Sequence, residues 1–156
     1  MNKFGLYLLA ALGFGIYGAM TNADRDDSGA IVDGGTIDAF HVRLGDCFDD
    51  PSTFSDELSS LDGIPCSDPH DNETFAVFDV NYPSYPEGDR MGELVQSSCI
   101  EHFERFVGRD YDSSSLDVIT MYPTRESWQQ SDREVVCALY DMEANKLTGS
   151  VKGSGI

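Results

Sequence analysis

The chain has 156 residues, which is enough for one domain and too few for two of ordinary size. Its 28 acidic residues against 10 lysines and arginines give a formal net charge of −18, which repels phosphate backbones and anionic lipid head groups. This charge argues against nucleic-acid binding, whereas a 40% share of apolar residues is compatible with a folded core beneath a solvated surface.

The N-terminal segment differs from the rest of the chain. Residues 4–20 (FGLYLLAALGFGIYGAM) carry no charged side chain, and a helix of that length reaches roughly 26 Å, close to the thickness of a bilayer core. Lys3 precedes it and acidic residues follow, which favours a cytoplasmic N-terminus. Residues 1–20 are therefore predicted to be a single-pass membrane anchor; the alternative is a signal peptide cleaved near Ala23, which would leave a secreted protein.

Residues 21–38 are acidic, contain several glycines and lack periodicity, which predicts a linker between the anchor and the domain. Asp24, Asp26 and Ser28 match the first, third and fifth positions of an EF-hand loop. The twelfth position, which should be a bidentate glutamate, is Gly35. A hydrated spacer is therefore favoured over a calcium site.

The exported domain is predicted to occupy residues 39–156. Apolar patterns predict strands that start at Phe40 and over residues 73–80, 116–122 and 133–141. A long helix is expected from Asp89, with an apolar stripe that ends at Gly108, and a short helix is expected after Thr124 as its N-cap. The tail KLTGSVKGSG could add a short edge strand. Together these elements predict an α+β domain, with an antiparallel sheet of about four to five strands and both helices packed on one face.

An exported domain with an even number of cysteines is expected to contain disulfides, here two formed by Cys47, Cys66, Cys99 and Cys137. The sequence excludes no connectivity. Cys99 lies on the apolar stripe of the long helix and Cys137 lies within a strand, so we favour Cys99 with Cys137 and Cys47 with Cys66. Each bond could contribute roughly 3 to 4 kcal/mol in the chain-entropy account. No CxxC pair is present, so a structural zinc site has little support and no cofactor is predicted.

The segment PCSDPHDNETFAVFD contains the densest group of reactive residues. Cys66, His70 and Asp71 could be a nucleophile with its base and orienting group, but a bridged Cys66 cannot be a nucleophile. His70 with Asp68, Asp71 and Glu73 could form a weak divalent-metal site, although no second histidine lies at ligand spacing. The favoured interpretation is a tight turn that caps backbone groups and could contribute to an interaction surface.

Other catalytic signatures are missing from the sequence. It contains no GxSxG, no HExxH and no phosphate-binding loop, so no catalytic residues and no enzymatic activity are predicted. Trp128 is the sole tryptophan and could be an exposed anchor for a partner or glycan, although a core position is favoured.

Four segments resemble, in order, the septum formation-related domain of bacterial envelope proteins. They are GDCF (45–48), PCSDPHDNETFAVFD (65–79), the segment from Cys99 to Asp141, and TGSVKGSG (148–155). The resemblance covers about residues 42–155. It departs from the family pattern at Ser131, where glycine is usual, and in a longer, more acidic loop between the first two cysteines.

The resemblance implies a membrane-tethered, disulfide-containing module associated with septation, and it supplies no catalytic residues. We therefore expect a single-pass envelope protein, attached to the membrane through residues 4–20, whose extracytoplasmic domain binds an envelope protein or a cell-wall component. The alternative is a small carboxylate- or metal-dependent hydrolase of cell-wall material, with Asp68, His70 and Asp71 as its site.

Overall fold

The computed structural model of the protein describes residues 6–9, 22–51 and 57–156. Within these ranges the regular elements are β1 (Leu6–Leu9), β2 (Asp24–Arg25), β3 (Ile31–Asp33), β4 (Gly35–Asp38), β5 (Cys47–Asp49), β6 (Glu57–Leu58), β7 (Ser60–Ile64), β8 (Asn72–Asp79), α1 (Arg90–Val107), β9 (Leu116–Pro123), α2 (Arg125–Gln129) and β10 (Glu134–Asp141).

One sheet organises the fold, with the strand order β4-β7-β5-β8-β10-β9-β1-β6. The first six strands of this order pair antiparallel throughout. The short strands β1 and β6 extend the β9 edge by parallel pairing, and β2 and β3 form a separate hairpin. The predicted mixed α and β class with an antiparallel sheet is confirmed, but four to five strands was too few, since six antiparallel and two short parallel strands form the sheet.

The additional strands come from polar segments whose pairing is not visible locally. Residues 22–38, predicted to be a linker, form β2, β3 and β4, and β4 pairs with β7 so that Ile37 lies opposite Leu61 in the core. Conversely, the strand predicted to start at Phe40 is a single 3-10 turn, because the side chain of Asp38 accepts a hydrogen bond from the Phe40 amide at 2.9 Å. The folded unit therefore includes most of the segment that the sequence assigned to the linker.

An ion pair attaches the β2–β3 hairpin to the domain. The guanidinium of Arg25 donates two hydrogen bonds to the buried carboxylate of Asp46, at 2.6 and 2.7 Å. Asp46 also accepts a hydrogen bond from the Arg43 amide at 2.8 Å, so both of its oxygens have donors. This two-point contact is the geometry in which arginine and carboxylate pair most strongly.

Of the residues that match an EF-hand loop, Asp24 lies in β2, and Asp26 and Ser28 lie in the turn of this hairpin. One oxygen of Asp26 accepts hydrogen bonds from the amide and the hydroxyl of Ser28 and from the Ala30 amide. These bonds, that of the Ser28 hydroxyl foremost, lower the pKa of Asp26. The acidic pattern is thus accounted for by a turn in which a side chain caps the backbone.

Both helices cover one face of the sheet. The buried stripe of α1 comprises Met91, Val95, Cys99, Phe103, Phe106 and Val107. Gly108 ends this helix in the left-handed conformation, with φ of 85°, as predicted, whereas Asp89 precedes it without a side-chain capping bond. Thr124 caps α2 through a reciprocal pair of hydrogen bonds with Ser127.

Alternation along β10 divides the core into two layers. Val135, Cys137 and Leu139 belong to the cluster beneath α1, and Val136, Ala138 and Tyr140 belong to the cluster on the opposite face. The opposite cluster is completed by residues from β3, β4, the 3-10 turn and β7. Residues of the N-terminal strands therefore contribute to the core on the face that the helices leave open.

Two disulfides are present, in the connectivity favoured from the sequence. Cys47 is bonded to Cys66 with a Cα–Cα distance of 5.3 Å, and Cys99 to Cys137 with a Cα–Cα distance of 5.7 Å. The first bond links β5 to the turn before β8, and the second links α1 to β10. All four cysteines are therefore bridged.

Most of the predicted anchor, residues 4–20, lies outside the described residues, and its four described residues form β1. Among the elements that the structure describes, no helix is both long and apolar enough to cross a membrane. The anchor therefore stays a prediction.

Replacing Arg25 tests whether the N-terminal hairpin is part of the folded unit. In Arg25→Met the buried Asp46 carboxylate loses its charged partner, so we expect the free energy of unfolding to fall by about 1–3 kcal/mol. The amides of β2 and β3 should also exchange hydrogen faster. Denaturant unfolding and hydrogen exchange measure both effects, with the exposed Arg105→Met as the matched control. If hydrogen exchange of β2 and β3 in Arg25→Met equalled that of the wild type, the assignment of this hairpin to the folded unit would be contradicted.

Candidate functional site

The turn that precedes β8 is folded inward at its centre. The Asp68 amide donates to the Pro65 carbonyl at 2.8 Å, which closes the turn. The backbone of His70 then forms a two-way bridge with Leu147, at 3.0 and 2.8 Å, and attaches the turn to the C-terminal segment. The imidazole of His70 is fully buried as a result.

The hydrogen bonds of His70 define its two nitrogens. Nδ1 lies 2.8 Å from the Asp68 carbonyl oxygen, which can only accept, so Nδ1 carries the proton in that contact. Nε2 is buried and has no hydrogen-bond partner among the described residues. In the neutral ring this nitrogen is an unused lone pair inside the domain.

Glu73 is a buried carboxylate on the adjacent part of β8, and it holds the C-terminal segment. Its oxygens accept hydrogen bonds from the Ser150 hydroxyl at 2.5 Å and from the Val151 amide at 2.8 Å. The register places Glu73 opposite Cys47, so both side chains lie on the same face of the sheet. Ligand atoms of Cys47, His70 and Glu73 consequently lie within 4.8 Å of one another.

The other two residues predicted for this turn lie at the surface. Asp68 is exposed, and its carboxylate lies near the Ser67 hydroxyl. The Asp71 carboxylate accepts a hydrogen bond from the Asp50 amide at 3.0 Å and pairs with Lys146 at 3.0 Å. The turn therefore separates the four predicted residues into a buried pair, His70 and Glu73, and a surface pair.

The alternative in which Trp128 is an exposed anchor for a partner is wrong. Trp128 is only 9% exposed and belongs to the core cluster that contains the buried residues of α1, which is the core position that the sequence favoured. Its ring contacts Tyr85 edge-on at 5.7 Å, and the Arg133 guanidinium lies 3.5 Å above its centre. Burial of the indole between these groups removes it from any partner surface.

A cleft that the sequence did not predict adjoins this tryptophan. Its volume is about 470 Å³, and its lining is Phe40, Asp79, Ser127, Gln130, Ser131, Asp132, Arg133 and Glu134. The lining comes from the 3-10 turn, the end of β8, and the part of the chain that runs from α2 to the first residue of β10. Long-range contacts bring these parts together, among them the pairing of Asp79 in β8 with Glu134 in β10, so no local sequence signal marks the cleft.

Carboxylates dominate the electrostatics of the cleft. Within the described chain, Oδ2 of Asp132 and Oε1 of Glu134 are buried and have no hydrogen-bond partner. Burial, followed by repulsion from Asp132 and Asp79, raises the pKa of Glu134. Arg133 does not neutralise them by hydrogen bonding, since its guanidinium donates to the carbonyls of Trp128 and Asp132.

The backbone at the rim of the cleft adopts an unusual conformation. Ser131 has φ of 73°, in the left-handed region where a glycine is favoured. Its amide donates to the Trp128 carbonyl and the next amide donates to the Ser127 carbonyl, both at 3.1 Å, so the turn ends α2 and directs Asp132 toward the cleft. The glycine that the resemblance implies at this position is therefore explained by backbone geometry.

The fold and site together define a small α+β domain with two disulfides, a buried His–Glu pair and an acidic cleft. Residues 44–155 match the family described as septum formation, and this match covers well over half of the chain. The chain therefore belongs to the septum formation family. No curated protein and no solved structure matches it.

Glu73→Gln tests the role of the buried carboxylate in holding the C-terminal segment. An amide has one acceptor oxygen and no charge, so one of the two hydrogen bonds is lost or reversed in direction and the other is weakened. The free energy of unfolding should therefore fall by about 1–3 kcal/mol. Hydrogen exchange at the Val151 amide should accelerate. Glu101→Gln, exposed on α1, is the control; unchanged exchange at Val151 would disprove the role.

Glu134→Gln tests the electrostatics of the cleft through the pH dependence of stability. The folded-state pKa of Glu134 lies above the ordinary value of 4.5, so the unfolded chain ionises first as the pH rises. Between the unfolded-state and the folded-state pKa of Glu134, the folded state binds more protons. The free energy of unfolding of the wild type therefore falls with rising pH, relative to that of the variant. We expect the difference in unfolding free energy, variant minus wild type, to grow above pH 4.5 and then level off. A pH-independent difference would contradict the raised pKa.

Proposed function

We propose that this protein is a binding module of the bacterial cell envelope that acts in septum formation. Membership of the septum formation family supports the process. Two disulfides support an oxidising, extracytoplasmic compartment. The uncharged segment over residues 4–20, with Lys3 before it, supports a single-pass anchor whose domain lies outside the cell membrane.

The observation that carries the binding role is the acidic lining of the cleft, where Asp132 and Glu134 are partly exposed and each has one buried oxygen without a donor. These poorly solvated carboxylates repel each other, so a cation that binds in the cleft lowers this electrostatic cost. Asp79 adds a third negative charge at the rim, and Phe40 adds an apolar surface. An amino or guanidinium group with a short aliphatic stem fits this lining.

The partner in this proposal is therefore an envelope protein or a wall peptide that presents such a cationic group. Binding transfers the cation from water to Asp132 and Glu134, where two charge-assisted hydrogen bonds can form. The excess negative charge of the chain attracts basic groups from a distance and repels acidic ones.

The hydrolase alternative finds no specific support in the described geometry. His70 is completely buried, so its imidazole cannot contact a substrate in this structure. Asp71 is engaged by Lys146 and by a backbone amide. The residues proposed for acid–base chemistry therefore do not share an accessible site.

Localisation in dividing cells tests the proposal. A fluorescent fusion of the full chain is expected to concentrate at the division site, and an Asp132→Asn, Glu134→Gln variant should spread along the envelope because its cleft has lost two charges. Labelling of the chain in intact cells by a membrane-impermeant amine reagent tests exposure outside the membrane.

The matched control is Glu101→Gln, Glu104→Gln, which removes the same charge from exposed positions on α1. This variant should still concentrate at the division site. A wild-type fusion spread evenly over the envelope would refute the septal role. Equal localisation of the cleft variant and the control variant would refute the binding role of the cleft.

A further inference from the structure

The buried cluster of Cys47, His70 and Glu73 contains three types of metal-ligating atom in one place. Their ligand atoms lie within 4.8 Å of one another, and all three residues are at most 1% exposed. The Cys47 sulfur is bonded to Cys66, and a disulfide sulfur is not a thiolate ligand. The bond therefore withholds one ligand from the cluster.

His70 is oriented as metal-ligating histidines usually are. Such histidines donate one ring N–H to a backbone carbonyl or carboxylate and ligate through the other nitrogen. Nδ1 of His70 makes this contact with the Asp68 carbonyl, and the buried Nε2 has no partner among the described residues. The lone pair of this nitrogen is therefore available to a cation once the cysteine sulfurs can also act as ligands.

Glu73 retains capacity for a further ligand. A carboxylate has about four lone-pair positions, and its contacts with Ser150 and Val151 use two of them. Those contacts also fix the orientation of the carboxylate, in the way that outer hydrogen bonds orient metal ligands.

We propose that opening the Cys47–Cys66 bond converts this cluster into a site for a zinc-class divalent cation. The ligands are the thiolates of Cys47 and Cys66, Nε2 of His70 and a carboxylate oxygen of Glu73. Two sulfurs, one imidazole and one carboxylate are a ligand set that zinc accepts and that calcium and magnesium do not favour. The site goes beyond the proposed binding function and does not depend on the cleft.

The chemistry balances with a dithiol as reductant. The dithiol is oxidised to its own disulfide, and its two electrons and two protons pass to the sulfurs of Cys47 and Cys66. Binding of the cation then releases these two protons and forms two metal–thiolate bonds. Metal loading and the disulfide therefore exclude each other, so the site reports the redox state of this bond.

The geometry requires a small contraction. A tetrahedral zinc with bonds of about 2.0–2.3 Å holds its ligand atoms roughly 3.3–3.8 Å apart. The ligand atoms of Cys47, His70 and Glu73, which lie within 4.8 Å of one another, must therefore approach by up to about 1 Å, and the Cys66 sulfur, which is not part of that group, must turn toward it. Cleavage of the sulfur–sulfur bond frees both cysteine side chains to rotate. Cys66 is partly exposed, whereas Cys99 and Cys137 are fully buried, so a reductant reaches the first bond more easily.

Cobalt titration of the full chain in detergent tests this proposal, with Co²⁺ as a coloured substitute for zinc. A phosphine reductant delivers the same two electrons and becomes its oxide with oxygen from water. We expect the reduced chain to bind one Co²⁺, with thiolate-to-cobalt charge-transfer absorption that added Zn²⁺ removes. The oxidised chain should show no such absorption. In the reduced chain, Zn²⁺ should also protect Cys47 and Cys66 from alkylation.

His70→Ala should weaken cobalt binding at least about tenfold. His102→Ala, a partly buried histidine on α1 that stacks on Phe78, is the matched control and should bind as the wild type does. Three results would each overturn the proposal: no charge-transfer absorption in the reduced chain, the same affinity in His70→Ala, or a reduced chain that unfolds and is not refolded by metal.

Discussion

The covalent bond between Cys99 of α1 and Cys137 of β10 is the constraint on which the rest of the structure depends. β10 pairs with both β8 and β9, so fixing a helix to it fixes the helix over all three central strands. The far end of α1 then receives the C-terminal segment, because the carbonyls of Phe106 and Val107 accept hydrogen bonds from glycine amides of the tail. The Val151 amide of that segment also donates a hydrogen bond to Glu73. The Cys99–Cys137 disulfide therefore helps indirectly to position the buried His–Glu pair.

Most central elements could be predicted from the sequence because their signals are local. The apolar runs of β8, β9 and β10, the stripe of α1 and the cap at Thr124 each lie within a few residues, and the structure contains all of them. The outer strands could not be predicted in this way. β4 contains one buried apolar residue, Ile37, and its stability comes from pairing with β7 more than twenty residues away. Arg25 likewise gives no local sign that it pairs with Asp46, so the hairpin resembled a spacer.

The candidate sites also differ in whether their signals are local in the sequence or depend on long-range pairing. The turn around His70 was visible as a dense group of reactive residues, but the sequence could not separate its inward members from its surface members, because alternation is lost in a turn that contains a proline. The cleft was invisible, since Asp79 and Glu134 are neighbours only through the register of β8 with β10. Abundant acidic residues also concealed the difference between Asp46, whose two carboxylate oxygens both have donors, and the cleft residues Asp132 and Glu134, which each have one buried oxygen without a donor.

The burial of the central disulfide has a consequence for its reactivity. Cys99 and Cys137 are both fully buried, whereas Cys66 in the other bond is partly exposed. A thiol in solution must contact a sulfur atom to exchange with a disulfide, so it reaches the Cys99–Cys137 bond only when the helix and the sheet separate. The rate at which external thiols exchange with this bond therefore measures how often the core of the domain opens.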